Sequence, residues 1–284
     1  MRFVRLPTGD EVPALGLGTW QLGESARTRN AEIAAVQTAI EIGYRLFDTA
    51  EMYGDGGSEQ VLGAAVRAMI DAGHVRREEL TVVSKVLPSN ANRPGVLRAC
   101  ERSLQRLGLD YLDIYLLHWR GSTPLAQTVA AFEELRRDGR VRHWGVSNFD
   151  TDDMQELWTL AAGPACAMNQ VYYSATERGI EFDLLPWQRE SDVATMAYCP
   201  INRGTLTHDA TFARIGKRHG VSAATAALAW TIRANDVIAI PKAVKEPHLR
   251  ENYKAAQLEL TPDDLAEIDE HFPAPKRKRQ LAMT

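Results

Sequence analysis

The chain has 284 residues, 45% of them hydrophobic and 25% charged, with a formal net charge of −4. This composition supplies a large apolar core and gives no electrostatic reason to expect nucleic acid or an anionic membrane as a partner. No apolar run reaches the roughly 18 residues a membrane span needs, and Met1–Asp10 does not resemble a signal peptide. The cysteines Cys100, Cys166 and Cys199 have neither metal-ligand spacing nor a disulfide framework, so a reducing cytoplasm is the expected compartment.

In chain order, "FVRLPTGDEVP" places Thr-Gly-Asp between extended pieces and predicts a small hairpin, suited to plugging the bottom of a barrel. "ALGLGTW" follows as a first strand. The helix around Asn30–Ile42 sets Ile33, Val36 and Ile40 on one face and ends at Gly43. After the strand "RLFDTA", Ser58 is the expected N-cap of a helix with Val61, Leu62, Ala65, Val66 and Met69 inward, ending near Gly73. "LTVVSKV" precedes a helix with Val96, Leu97, Cys100, Leu104 and Leu107 and a closing Gly108. "LDIYLLHW" precedes a helix with Val129, Phe132 and Leu135 and a closing Gly139. Spacings of three and four mark one buried stripe per helix, and glycine past the end suits a left-handed cap. "VRHWGVSN", "CAMNQVYY", "VATMAYCP" and "DVIAIPKA" complete eight short apolar runs. Runs without polar alternation are expected of strands covered on both faces, as in parallel sheets. No linker or shift in composition divides residues 1–284, so the expected architecture is a single α/β domain, a (β/α)8 TIM barrel with an N-terminal β-hairpin. The rival, a doubly wound sheet, lacks its Gly-rich first turn. "KRKR" near the end reads as a solvated basic tail.

In such a barrel, chemistry happens at the C-terminal ends of the strands. Asp48 follows strand two, Lys85 ends strand three and His118 ends strand four. Ser147 and Asn148 end strand five, Gln170 lies in strand six, Tyr198 in strand seven, and Lys242 leaves strand eight. Any one of these has a bland structural reading. Their convergence on one barrel mouth does not, because polar groups after buried runs are costly unless used or paired. Tyr53 donates a proton sluggishly at its ordinary pKa of about 10. A cation lowers that value, and Lys85 is the available cation, held charged by Asp48. His118 either orients a carbonyl oxygen or shares in proton delivery. The four read as an acid site for a reaction that creates an alkoxide.

The sequence resembles the aldo-keto reductases over nearly its whole length. The resemblance is carried by "LGLGTW", "GYRLFDTAEMYG", "SKV", "LDYLDIYLLHW", "GVSN", "NQVYY", "AYCP" and "IPKAV", in that order. It is closer to the compact bacterial methylglyoxal and aldehyde reductases than to steroid-active members. The resemblance implies NADPH-dependent reduction of small aldehydes and 2-oxoaldehydes, with Tyr53, Asp48, Lys85 and His118 as the catalytic four. It implies that Ser147, Asn148 and Gln170 hold the nicotinamide carboxamide and that Tyr198 stacks on the ring. Lys242 falls at the adenosine 2′-phosphate, Glu251 and Asn252 at the adenine, and Trp20 and Trp119 form the substrate walls unless they are core residues. Ala243 and His248 replace a hydroxyl residue and an arginine common in the family, so a weaker NADPH preference, with NADH use or Lys245 as substitute, stays open. Cys199 replaces a common serine and reads as filler rather than a redox switch. Short segments after His118 and Asn252 imply an open mouth. A monomer, no metal, no nucleic acid and no membrane partner are expected. The rival functions are a cofactor-binding regulatory subunit on the same fold and a metal-dependent barrel hydrolase using Asp48, Glu51 and His118.

Overall fold

The structure, a computed structural model, describes residues 1–283. A hairpin, β1 (Phe3–Arg5) with β2 (Glu11–Pro13), comes first. The alternation then begins with β3 (Leu17–Gly18), α1 (Arg29–Ile42), β4 (Leu46–Asp48), α2 (Gly57–Asp71), β5 (Thr81–Val86) and α3 (Arg93–Leu107). It continues through β6 (Leu112–Leu117), α4 (Leu125–Arg137), β7 (Val141–Ser147), α5 (Thr151–Trp158), β8 (Met168–Tyr172) and α6 (Leu184–Glu190). The last elements are β9 (Ala194–Tyr198), α7 (Ala210–His219), α8 (Ala223–Thr231), β10 (Val237–Ala239), α9 (Glu246–Lys254) and α10 (Pro262–His271).

Strands β3 to β10 form one parallel sheet in sequential order. The Leu15–Ala239 bridge and the bond from Gly18 N to Pro241 O (3.1 Å) join its first strand to its last. The sheet therefore closes into the expected (β/α)8 barrel. The hairpin sits at the N-terminal ends of the strands: Val4, Leu6 and Val12 are buried, and Asp10 pairs with His143 of β7 at 3.0 Å. Among the described residues no helix is long and apolar enough to cross a membrane.

Local chemistry places the elements. In α3 the Asn92 side chain accepts from Gly95 N at 2.8 Å, and the Gly108 expected to close the helix takes φ 65°. Val96, Cys100, Leu104 and Leu107 turn inward against the sheet. Phe132 of α4 stacks on Trp144 of β7, ring centroids 5.5 Å apart.

The expected cap at Ser58 is corrected. Helix α2 begins at Gly57, and Gly56, at φ 86°, precedes it. Ser58 is fully buried in the first turn, 2.7 Å from Thr19 Oγ1 and 3.0 Å from Thr49 Oγ1. The reason is close backbone packing: a Cβ on Gly57 would stand 2.3 Å from the Gly23 carbonyl oxygen. That approach draws Ser58 beneath the loop after β3, where its hydroxyl serves tertiary partners instead of the helix end.

Candidate active site

Asp48 is the last residue of β4, and Lys85 lies on β5, where the ladder pairs Asp48 with Val83. The ladder continues past β4, with Thr49 N donating to Val83 O at 2.9 Å. This brings three acceptors to the Lys85 ammonium: Asp48 Oδ2 at 2.8 Å, the Thr49 carbonyl at 2.9 Å and Tyr53 Oη at 3.2 Å. All three N–H bonds of the ammonium are thereby used, as they must be for a lysine with no exposed surface. Burial pushes the Lys85 pKa down, but the Asp48 carboxylate and the Tyr53 phenol outweigh it, so the ammonium stays charged and its pKa lies above the ordinary value. The second Asp48 oxygen accepts from Gln170 Nε2 at 2.7 Å.

For Tyr53 the sequence expectation is met in one respect and corrected in another. Lys85 does draw the phenol pKa down. Burial raises it by more, with Asp48 adding in the same direction, and the net position lies above 10. The phenol is therefore protonated throughout the neutral range, with a cation in place to receive the charge of its conjugate base.

His118 follows β6 and lies edge-on to Tyr53, ring centroids 5.7 Å apart. Its Nδ1 is buried without a hydrogen-bond partner among the described residues. Burial, aided by the Lys85 charge, takes its pKa down to about 3. A neutral imidazole suits orientation of an oxygen better than delivery of a proton.

Ser147 and Gln170 are buried, with Ser147 Oγ donating to the Gln170 carbonyl at 2.9 Å. Asn148, in the left-handed region at φ 58°, donates to the His118 carbonyl and to Ser147 Oγ, each at 3.1 Å, and accepts from Tyr198 Oη at 2.8 Å. Tyr172 stacks on Tyr198, the pair facing each other across the β8–β9 register. Amides on adjoining strand ends, a tyrosine pair and an unpartnered buried imidazole nitrogen suit a flat ring carrying a carboxamide, so the residues fit a nicotinamide.

Lys242, Lys245 and His248 are exposed around the start of α9, and Asn252 is buried within it. The Glu251 carboxylate pairs with Lys254 and lies 3.4 Å from Thr225 Oγ1, so it is anchored to α8. Trp20 is 41% exposed, and the Trp119 ring lies 4.9 Å from His118. The metal-centre reading finds no ligand set: Asp48 and Glu51 are bonded elsewhere, and among the described residues no three His, Cys, Asp or Glu are grouped to hold an ion.

Some neighbours of the site escape the sequence reading. The Arg203 guanidinium lies 5.6 Å from the centre of the Trp20 ring, an approach between loops after β9 and β3 with no local signal. Tyr172 was accessible, since it stands two residues beyond Gln170 on the same face of its strand. The basic tail is exposed, as expected, but Lys278 pairs with Asp183 at 3.1 Å and Asp152 at 3.3 Å. Leu281 packs against the core, and the tail borders a small cleft with Thr151 and Tyr172. The tail thus lies against the segments that follow β7 and β8.

The Aldo/keto reductase family model matches residues 14–272. The chain belongs to the aldo/keto reductase family. It is 47% identical over 282 residues to the methylglyoxal reductase YeaE of Escherichia coli, covering 97% of each chain. It is 34% identical over 266 residues to a glyoxal reductase of Bacillus subtilis, covering 94% of this chain and 91% of that one. An aldo/keto reductase from Klebsiella pneumoniae, solved in complex with NADP and acetate, superposes with a TM-score of 0.94 at 45% identity, over 100% of this chain and 99% of that one. This aldo/keto reductase is accordingly an oxidoreductase built on the family's barrel.

Proposed function

We propose that this reductase converts small aldehydes and 2-oxoaldehydes of the methylglyoxal type to alcohols, using NADPH, with Tyr53 as proton donor. The observation that carries the reading is the Lys85 ammonium, which donates to Asp48 and Tyr53 together in a buried site. The names of the Escherichia coli and Bacillus subtilis relatives support the substrate class, and the NADP complex of the Klebsiella pneumoniae protein supports the cofactor.

When bound, the nicotinamide supplies a hydride to the carbonyl carbon, which is the cofactor's own chemistry. The protein's part is to hold and move a proton. Neutral His118 donates a hydrogen bond to the carbonyl oxygen and fixes its direction. As charge develops there, Tyr53 releases its proton to the oxygen, and Lys85 stabilises the phenolate left behind. Asp48 keeps Lys85 charged and in place. Ser147, Asn148 and Gln170 would hold the carboxamide, Tyr198 the ring face, Lys242 the 2′-phosphate, and Glu251 with Asn252 the adenine. Trp20 and Trp119 would wall the substrate. Small electrophilic carbonyls suit this mouth because they need little binding energy to reach the transition state. We also infer a single-domain cytoplasmic monomer, which light scattering tests for the assembly state.

The experiment is a carbonyl panel followed at the reduced-nicotinamide absorbance, with NADPH and NADH in parallel. Methylglyoxal is expected to give a higher kcat/KM than a bulky ketosteroid; the reverse order would overturn the substrate class.

A further inference from the structure

The turn that carries Tyr53 has no strand of its own. Beyond Asp48 the chain passes through Thr49, Ala50, Glu51 and Met52 into the one-turn 3-10 segment Tyr53–Gly56, where Gly54 and Asp55 both take positive φ. Yet Tyr53 Oη stands at hydrogen-bond distance from a lysine on the neighbouring strand. Something must hold the turn against β5.

Two backbone bonds contribute, Thr49 N to Val83 O at 2.9 Å and Glu51 N to Lys85 O at 3.3 Å. The second is long for an amide–carbonyl bond and is the last rung before Tyr53. Past that rung the link is a side chain. Glu51 Oε1 accepts from Leu87 N, just beyond the end of β5, at 2.8 Å, and from Asn90 Nδ2 at 2.9 Å. Its other oxygen lies 3.4 Å from Arg102 Nη2 of α3, and the side chain is only 7% exposed. A buried carboxylate saturated by a backbone amide, a side-chain amide and a guanidinium is a fixed point. The residues on either side of it differ: Met52 is exposed and Ala50 carries no polar group.

We propose that Glu51 is a positioning residue for the proton transfer: its carboxylate clamps the Tyr53 turn to the end of β5 and so sets the contact between the Tyr53 phenol and the Lys85 ammonium. The inference rests on Tyr53 being the proton donor. It gives Glu51 a task distinct from metal binding, in which its oxygens would have to face the mouth instead of Leu87 and Asn90.

The charged and titratable groups around the phenol are Asp48 from β4, Lys85 from β5, His118 from the end of β6 and Cys199 from the end of β9. The Glu51 oxygens are turned instead to Leu87, Asn90 and Arg102, so its effect on Tyr53 is exerted through position. That is testable. Glu51→Gln keeps an oxygen for Leu87 N and Asn90, while Glu51→Ala removes it. Displacing a reacting group by about 1 Å can cost about a hundredfold in rate.

The test compares wild type, Glu51→Gln, Glu51→Ala and Tyr53→Phe with methylglyoxal and NADPH, recording kcat, KM, the pH profile of kcat, NADPH binding by fluorescence, and thermal melting. Glu51→Ala is expected to lose about 10- to 100-fold in kcat. Its NADPH affinity should hold, and the alkaline limb of its profile should move upward as Lys85 loses the phenol. Glu51→Gln should recover most of kcat and the wild-type limb. A twofold or smaller loss in folded Glu51→Ala, or a lowered melting point with an unshifted limb, would overturn the proposal. So would equal losses in Gln and Ala. Tyr53→Phe separates the two levels: if it stays active, the proton-donor reading fails; if it is dead while Glu51→Ala is normal, only the clamp fails.

Discussion

The candidate catalytic centre and the rim around the start of α9 are both built around lysines, and they differ in almost every other respect. In the centre, Lys85 has no exposed surface, and its three protons go to Asp48, Thr49 O and Tyr53. At the rim, Lys242, Lys245 and His248 are exposed. A buried ion must find its partners as the chain folds, because leaving it unpaired costs several kcal/mol. An exposed ion has water and can wait for a ligand. The centre is therefore organised in the fold itself, while the rim side chains stay free to meet a ligand.

The sharpest way to break this comparison is at Lys85. Lys85→Met should cut kcat by about 10²–10⁴-fold, the range for a general acid deprived of its support. It should also destabilise the fold by about 3–5 kcal/mol, since Asp48 remains buried without its partner. Chemical denaturation and steady-state kinetics measure both; a dead enzyme of unchanged stability would show that the pair is not held as described. Tyr53→Phe should lose kcat over a similar range with NADPH binding close to wild type, at a stability cost of about 1–3 kcal/mol because one N–H of the buried Lys85 ammonium loses its 3.2 Å partner. Retention of a tenth of kcat with proton transfer rate-limiting would remove Tyr53 from its role.

The rim should give a smaller and different effect. Charge-assisted contacts contribute roughly 1.5–3 kcal/mol, about 10- to 150-fold in affinity. Lys242→Ala should therefore lower the NADPH-over-NADH ratio within that range and leave kcat at saturating cofactor intact. An unchanged ratio would mean that Lys242 does not read the phosphate.

The last test concerns pH. The folded-state pKa of His118 is about 3, against an ordinary value of 6.5. Between those values the unfolded chain binds the proton and the folded one does not. Stability from keeping His118 neutral is thus complete above about pH 6.5 and is lost progressively as pH falls toward 3. Replacing His118 with Asn should flatten the melting temperature against pH in that window. A slope equal to wild type would show that His118 is not buried neutral.

Much of this was legible in one dimension. A period of 3.6 states which face of a helix a residue occupies, and an unbroken apolar run marks a strand covered on both faces, so the eight strands, the inward stripe of α3 and the glycine at its end could be read directly. Because the barrel collects all strand ends at one mouth, Asp48, Lys85, His118, Gln170 and Tyr198 could be assigned to a common site from their places after apolar runs. What periodicity does not carry is which atom bonds which. Gln170 and Asp48 are 122 positions apart, and their 2.7 Å bond exists only because the closed barrel turns both inward. Ser58 left the helix cap for Thr19 because two glycine backbones meet there. Lys278 left the solvated tail for Asp152 and Asp183, and the balance of burial against the Lys85 charge left the Tyr53 phenol above its ordinary pKa. The sequence by itself determined the strands, their order and the candidate residues at their ends. The tertiary structure alone decided the hydrogen-bond allocation and the protonation states, because both depend on distances and desolvation that arise only when the barrel closes.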